Sequence, residues 1–144
     1  MSDFRPLSDR FSVSPQITVE DVREAARLGF TQIVNNRPEG ESPDQTPGAD
    51  IEAAARAAGL AYAAIPVGHA GFSMEQVAAT DAILAGTGRT LAYCRSGTRS
   101  AMLWALARSS EGAEAAELSA AAASAGYDLT PLKPLMQQLR EQAN

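Results

Sequence analysis

The sequence predicts a single α/β domain over residues 1–144, with a central, mainly parallel sheet of about four to five strands flanked by helices. Three observations predict it. Short apolar runs alternate with helix-patterned stretches along the chain, and glycines stand where the helical patterns stop. The composition is that of an ordinary globular domain, with 45% hydrophobic and 20% charged residues. At 144 residues the chain can bury one full core without staples.

An extended segment around Phe11 to Val13 comes first. Thr18-Val19-Glu20-Asp21 then starts a helix, with Thr18 as N-cap and Asp21 at the capping-box position, where its charge also suits the helix dipole. Val22, Ala25, Ala26 and Leu28 form its inner face and Gly29 stops it. Thr31 to Asn35 reads as a strand ending in the polar turn Asn36-Arg37-Pro38. Glu39 to Gly48 is rich in Pro, Gly, Asp and Glu and reads as a surface loop, on which Glu39, Glu41 and Asp44 form a solvated acidic lid or else supply a general acid.

Ile51 to Ala58 is an Ala-rich helix closed by Gly59, and Leu60 to Val67 follows as a strand. Gly68-His69-Ala70-Gly71 is a flexible turn. Ser73, with Gln76 three residues on, caps a helix over Met74 to Leu84. Thr90 to Tyr93 is the next strand, followed by a loop and a helix after Ser100. An Ala-rich helix beyond Gly112 ends near Gly126, and Leu132, Leu135, Met136 and Leu139 mark a last one. There is no internal repeat or linker.

In a parallel sheet the loops after the strands gather on one edge, where ligands bind. Arg37, His69 and Cys94 should therefore converge although they are far apart in sequence. The net charge of −5 argues against nucleic acid or an anionic membrane as partner, so any anion must be held by a local basic pocket. No apolar run approaches the roughly 18–20 residues of a membrane span. The N-terminus Met1-Ser2-Asp3-Phe4-Arg5-Pro6 has no hydrophobic signal core, so a cytoplasmic protein is expected. One cysteine and one histidine leave no internal disulfide and argue against a metal site; no cofactor is expected.

That cysteine opens the run Cys94-Arg95-Ser96-Gly97-Thr98-Arg99-Ser100. An apolar strand, a loop with one thiol and two guanidinium groups, and then a helix describe a thiolate in an anion-binding turn. A helix N-terminus and nearby cations favour the thiolate, the nucleophilic form. Gly97 permits a positive φ that turns backbone N–H groups inward as a nest. Ser96 and Thr98 add hydroxyls, and Ser100 either caps the helix or donates to the sulfur. Arg99 offers a planar fork for two oxygens of a tetrahedral anion. Arg95 points inward beside it or out to solvent. Arg37 either helps bind the anion or pairs with Glu41 and braces its own turn. His69 is a candidate general acid, or else a loop histidine in solvent. Trp104 is expected in the core.

The Cys94 to Ser100 run resembles the active loop of single-domain rhodaneses. Together with Ile33 to Glu41 and the tail Ala122 to Leu129, nearly the whole chain is similar to the phosphatase-like domain of beta-lactamase hydrolase-like proteins. The resemblance implies the fold of dual-specificity tyrosine phosphatases, and it covers members described as sulfurtransferases. Cysteine phosphatases place five residues between nucleophile and arginine, usually with a histidine before the cysteine. Here four residues separate Cys94 from Arg99, and Tyr93 precedes the thiol.

The shorter loop and the lack of an upstream acidic residue favour sulfur transfer. In this reading Cys94 takes sulfane sulfur from thiosulfate or a persulfide and passes it to a thiol acceptor. The alternative is hydrolysis of a phosphate ester through a cysteinyl-phosphate. A third reading is a non-catalytic anion or redox sensor switched at Cys94.

Overall fold

The computed structural model describes residues 2–143. The chain enters as an antiparallel hairpin, β1 (Arg5–Ser8) and β2 (Phe11–Ser14). It continues through α1 (Val19–Arg27), β3 (Gln32–Asn35), α2 (Gly48–Ala57), β4 (Ala61–Ala64), α3 (Met74–Leu84), β5 (Thr90–Tyr93), α4 (Thr98–Ser110), α5 (Ala115–Ser124) and α6 (Lys133–Gln142), with a short 3-10 turn at Thr130–Leu132. The five strands form one sheet in the order β1-β2-β5-β3-β4, and every pair except β1 with β2 is parallel. The predicted α/β class is the observed one.

Register decides where the site lies. Tyr93 at the end of β5 pairs with Ser14 on one side and Asn35 on the other, and Asn35 pairs with Ala64. Four parallel strands thus end level, so the loops that follow them leave from one edge. The loop after the central strand is the one that starts with Cys94.

Alternation along the strands feeds two apolar layers. Ile33, Leu91 and Tyr93 face α1 and α2, packing with Val22, Ala25, Ile51 and Ala55. Val13, Val34 and Ala92 face the other way, toward Leu103 and Leu106 of α4, Leu118 of α5 and Met136 of α6. Trp104 is buried here and stacks on Phe11 at 6.4 Å, as expected of a core residue. With both faces covered, β5 is buried along its length. Among the described residues, no helix is long and apolar enough to cross a membrane.

Both predicted capping boxes are present, Thr18 with Asp21 and Ser73 with Gln76. Four boundaries differ from the sequence reading. β1 is an additional edge strand; its Arg5-Pro6-Leu7-Ser8 lacks a strand signature, because proline is tolerated only where no partner needs its N–H. Helix α2 begins at Gly48 rather than Ile51, since the carboxylate of Glu39 accepts the Gly48 N–H at 2.9 Å. The strand expected over Leu60 to Val67 is regular only over Ala61–Ala64, although Ile65 and Val67 still donate to the carbonyls of Asn35 and Asn36, both at 2.9 Å. Helix α4 starts at Thr98, which places Ser100 inside it.

Candidate active site at Cys94

Cys94 is fully buried at the end of β5, its N–H reaching the Ser14 carbonyl at 3.4 Å. The chain must then turn sharply into α4, and Gly97 makes the turn at φ 92° as the helix N-cap. A side chain at this φ is strained, and a β-carbon here would collide with the Tyr127 hydroxyl, so only glycine fits. The outcome is the expected inward amide: Gly97 N–H donates to Cys94 Sγ at 3.1 Å. The sulfur thus lies at the N-terminal end of a 13-residue helix, where the dipole favours negative charge.

The other loop residues divide. The Ser96 hydroxyl donates to Thr98 Oγ1 at 2.9 Å and accepts from the Thr98 N–H at 3.3 Å, which stiffens the turn. Arg95 is exposed and turned out to solvent, the second of its two expected orientations, while its carbonyl takes the Gln16 N–H at 3.2 Å. Ser100, expected either to cap α4 or to donate to the sulfur, does neither. Its buried hydroxyl donates to Asn36 Oδ1 at 2.8 Å, and Asn36 Nδ2 donates to the Ile65 carbonyl at 2.9 Å. That chain of bonds ties α4 to the loops after β3 and β4.

Arg99 is held from three directions. Its Nη1 donates to Glu41 Oε2 and to the Val67 carbonyl, both at 2.6 Å, and its Nη2 donates to Glu41 Oε1 at 2.8 Å. These bonds use three of the five guanidinium N–H groups. Nε–H and the second Nη2 hydrogen take no part in these bonds; together they form the other edge of the fork, and Cys94 lies within interaction range of the guanidinium. The Arg99 side chain is 20% exposed, so that edge can meet a small anion.

Glu41 corrects the solvated acidic lid. Its side chain is only 13% exposed and accepts from both Arg99 and Arg37, the latter from Nε at 3.0 Å. Arg99 above all, with Arg37 beside it, outweighs burial and lowers the Glu41 pKa from 4.5 to about 2. A carboxylate so held stays ionised and cannot act as a general acid. Arg37, itself buried, places two further donors on Gln16 Oε1 and Ser42 Oγ, both at 3.0 Å, so it braces Glu41.

His69 comes to the same edge on the loop that Val67 anchors, but it is exposed and makes no hydrogen bond among the described residues. The three loops therefore meet at one edge, where Arg37 and Arg99 share Glu41, while His69 stays at the rim. Sequence reading missed Asn36, Gln16 and Tyr127 as contributors. Asn36 carried a local signal, an amide next to a strand end. Gln16 and Tyr127 carried none, because their partners are distant in sequence.

The family model for the phosphatase-like domain of beta-lactamase hydrolase-like proteins matches residues 3–111, a stretch that holds Glu41, Cys94 and Arg99 but not Tyr127. A beta-lactamase hydrolase-like protein of Xylella fastidiosa is 39% identical over 126 residues, 85% of this chain and 29% of the relative. The chain thus spans under a third of that relative's length. A candidate phosphatase from Neisseria meningitidis superposes with a TM-score of 0.83 at 30% identity, covering 97% of this chain and 99% of the other. A kinase-associated phosphatase, solved with serine at its catalytic-site cysteine, superposes at 0.76 with 13% identity, covering 99% and 95%, which shows a shared fold alone.

Proposed function

Because the chain belongs to the family of phosphatase-like domains of beta-lactamase hydrolase-like proteins, we propose that it is a cysteine-dependent phosphatase with Cys94 as nucleophile. One observation carries the reading. Cys94 Sγ accepts the inward Gly97 amide and interacts with the Arg99 guanidinium at a helix N-terminus, in a fold shared with a cysteine phosphatase.

The Cys94 thiolate attacks phosphorus and the ester oxygen leaves with its electron pair, giving a cysteinyl-phosphate. Water then attacks that phosphorus, the thiolate leaves, and inorganic phosphate is released. The Arg99 edge and the loop amides carry the charge that builds on the non-bridging oxygens. Glu41 cannot protonate the leaving oxygen, and only exposed His69 stands on the loop after β4 to do so. The substrates that fit best are therefore small phosphate esters with good leaving groups.

A different observation favours a second reading, transfer of sulfane sulfur. The loop between Cys94 and Arg99 is one residue shorter than in cysteine phosphatases, and expelling sulfite from thiosulfate needs no acid. Cys94 would attack the outer sulfur, release sulfite, and hand the persulfide sulfur to an acceptor thiolate.

The experiment is mass spectrometry of rapidly quenched protein after an aryl phosphate, thiosulfate or glutathione persulfide, beside turnover assays of wild type and Cys94→Ser. A phosphoryl adduct on Cys94 and aryl phosphate turnover lost in Cys94→Ser are expected. A one-sulfur adduct without phosphate release would replace the first reading by the second, and turnover surviving in Cys94→Ser would sink both.

A further inference from the structure

Tyr127 lies on the segment after α5 and comes up beneath the Cys94 loop. It is 6% exposed, its hydroxyl donates to the Ser96 carbonyl at 3.0 Å, and the Arg5 guanidinium stands 5.2 Å over its ring. Gly126 reaches φ +92° just before it, and the Tyr127 N–H returns to the Ala122 carbonyl at 2.9 Å. The ring is thus fixed from its backbone and from one face.

The Ser96 carbonyl and the Gly97 N–H belong to one peptide unit. In a planar trans peptide these groups point in opposite directions, so a partner that holds the carbonyl also aims the amide. On one side of this unit stands the Tyr127 hydroxyl, and on the other stands Cys94 Sγ, 3.1 Å from the Gly97 nitrogen. Gly97 can swing to many φ values, which makes a flip of this unit cheap unless something prevents it. A flipped unit would turn the Ser96 carbonyl toward the sulfur and repel a thiolate.

We infer that Tyr127 is a positioning residue that locks the Ser96–Gly97 peptide with its amide toward Cys94, and so supports the thiolate without touching substrate. The inference rests on Cys94 being the reactive group, but not on which group it transfers.

Tyr127→Phe keeps the ring, the Arg5 contact and the space under Gly97, and removes only the donor. The measurement is the rate of Cys94 alkylation by iodoacetamide across pH, Cys94 being the only cysteine in the chain. In Tyr127→Phe the profile moves to higher pH and the neutral-pH rate falls roughly three- to tenfold, as expected for one lost hydrogen bond. Arg5→Met, which leaves the hydroxyl in place, keeps the wild-type profile. An unshifted profile in folded Tyr127→Phe overturns the inference. Should that variant fail to fold, the wild type decides: the Gly97 amide resonance must move as Cys94 ionises, and a stationary one overturns it. Alkylation needs no turnover, so failure here is distinct from failure of the phosphatase reading.

Discussion

Glu41 and Arg99 form a two-point ion pair, with contacts of 2.6 and 2.8 Å, that leaves the other edge of the guanidinium to Cys94. The carboxylate therefore occupies only one edge of the fork. It fixes the plane of the fork, while Arg37 fixes the carboxylate.

Glu41→Gln tests that relationship. The amide can accept from only one side of the fork, so Arg99 gains freedom to rotate. A misplacement of this kind costs about ten- to a hundredfold in kcat/KM. Steady-state kinetics on an aryl phosphate check it, and a variant within twofold of wild type would mean that the pair has no part in orientation.

The same pair sets a dependence on acid. The folded pKa of Glu41 lies at about 2, below its ordinary 4.5, so its contribution to stability is complete above pH 4.5 and is lost as pH falls toward about 2. Thermal unfolding of wild type and Glu41→Gln should converge over that window. Curves that stay parallel would contradict the ion pair.

Arg99→Lys keeps the charge and removes the fork. A lysine cannot donate two parallel bonds to Glu41 while presenting two more to an anion. Activity should fall about 100-fold in a variant that still folds, with a melting temperature lowered by the lost two-point pair with Glu41. Parallel kinetics and calorimetry separate this from a folding defect.

What the sequence made legible was local. The strand Thr90 to Tyr93, the glycine turn and the helix after it lie next to one another, so their chemistry could be read in order. The Glu41–Arg99 pair joins residues 58 positions apart, and the tie between Tyr127 and Ser96 spans 31. No periodicity reports such partners. Glu41 also sat in a Pro- and Gly-rich acidic stretch, whose composition predicts exposure. Two guanidinium partners, one buried and one partly exposed, reversed that, since a carboxylate between them is stable with little water. Ser100 was misassigned because the helix begins at Thr98, and a glycine N-cap leaves no polar side chain to announce it.

Gly97→Ala should be the most damaging small change in the loop. The new methyl group would be strained at φ 92° and would press on the Tyr127 hydroxyl and the Ser14 backbone. Backbone strain and overpacking together cost about 2 kcal/mol or more. Urea denaturation reads the loss directly. A variant as stable as wild type would show that the loop has room to shift, and the peptide geometry argued for Ser96–Gly97 would not be required.

Far from the site, Glu111 shows the opposite acid behaviour. Partial desolvation of its carboxyl, together with the nearby Asp81 carboxyl of α3, pushes it up to about 7 from 4.5, against the Arg108 ion pair at 2.8 Å. A carboxyl raised in the folded state adds stability that is full below pH 4.5 and disappears as pH rises through about 7. Glu111→Gln has no proton to lose and keeps a neutral partner for Asp81 at every pH. Its melting temperature should therefore rise relative to wild type as pH is taken from 4.5 to 7, and the gap should then hold constant. A gap that does not change with pH would mean that Glu111 ionises as freely in the fold as in the unfolded chain.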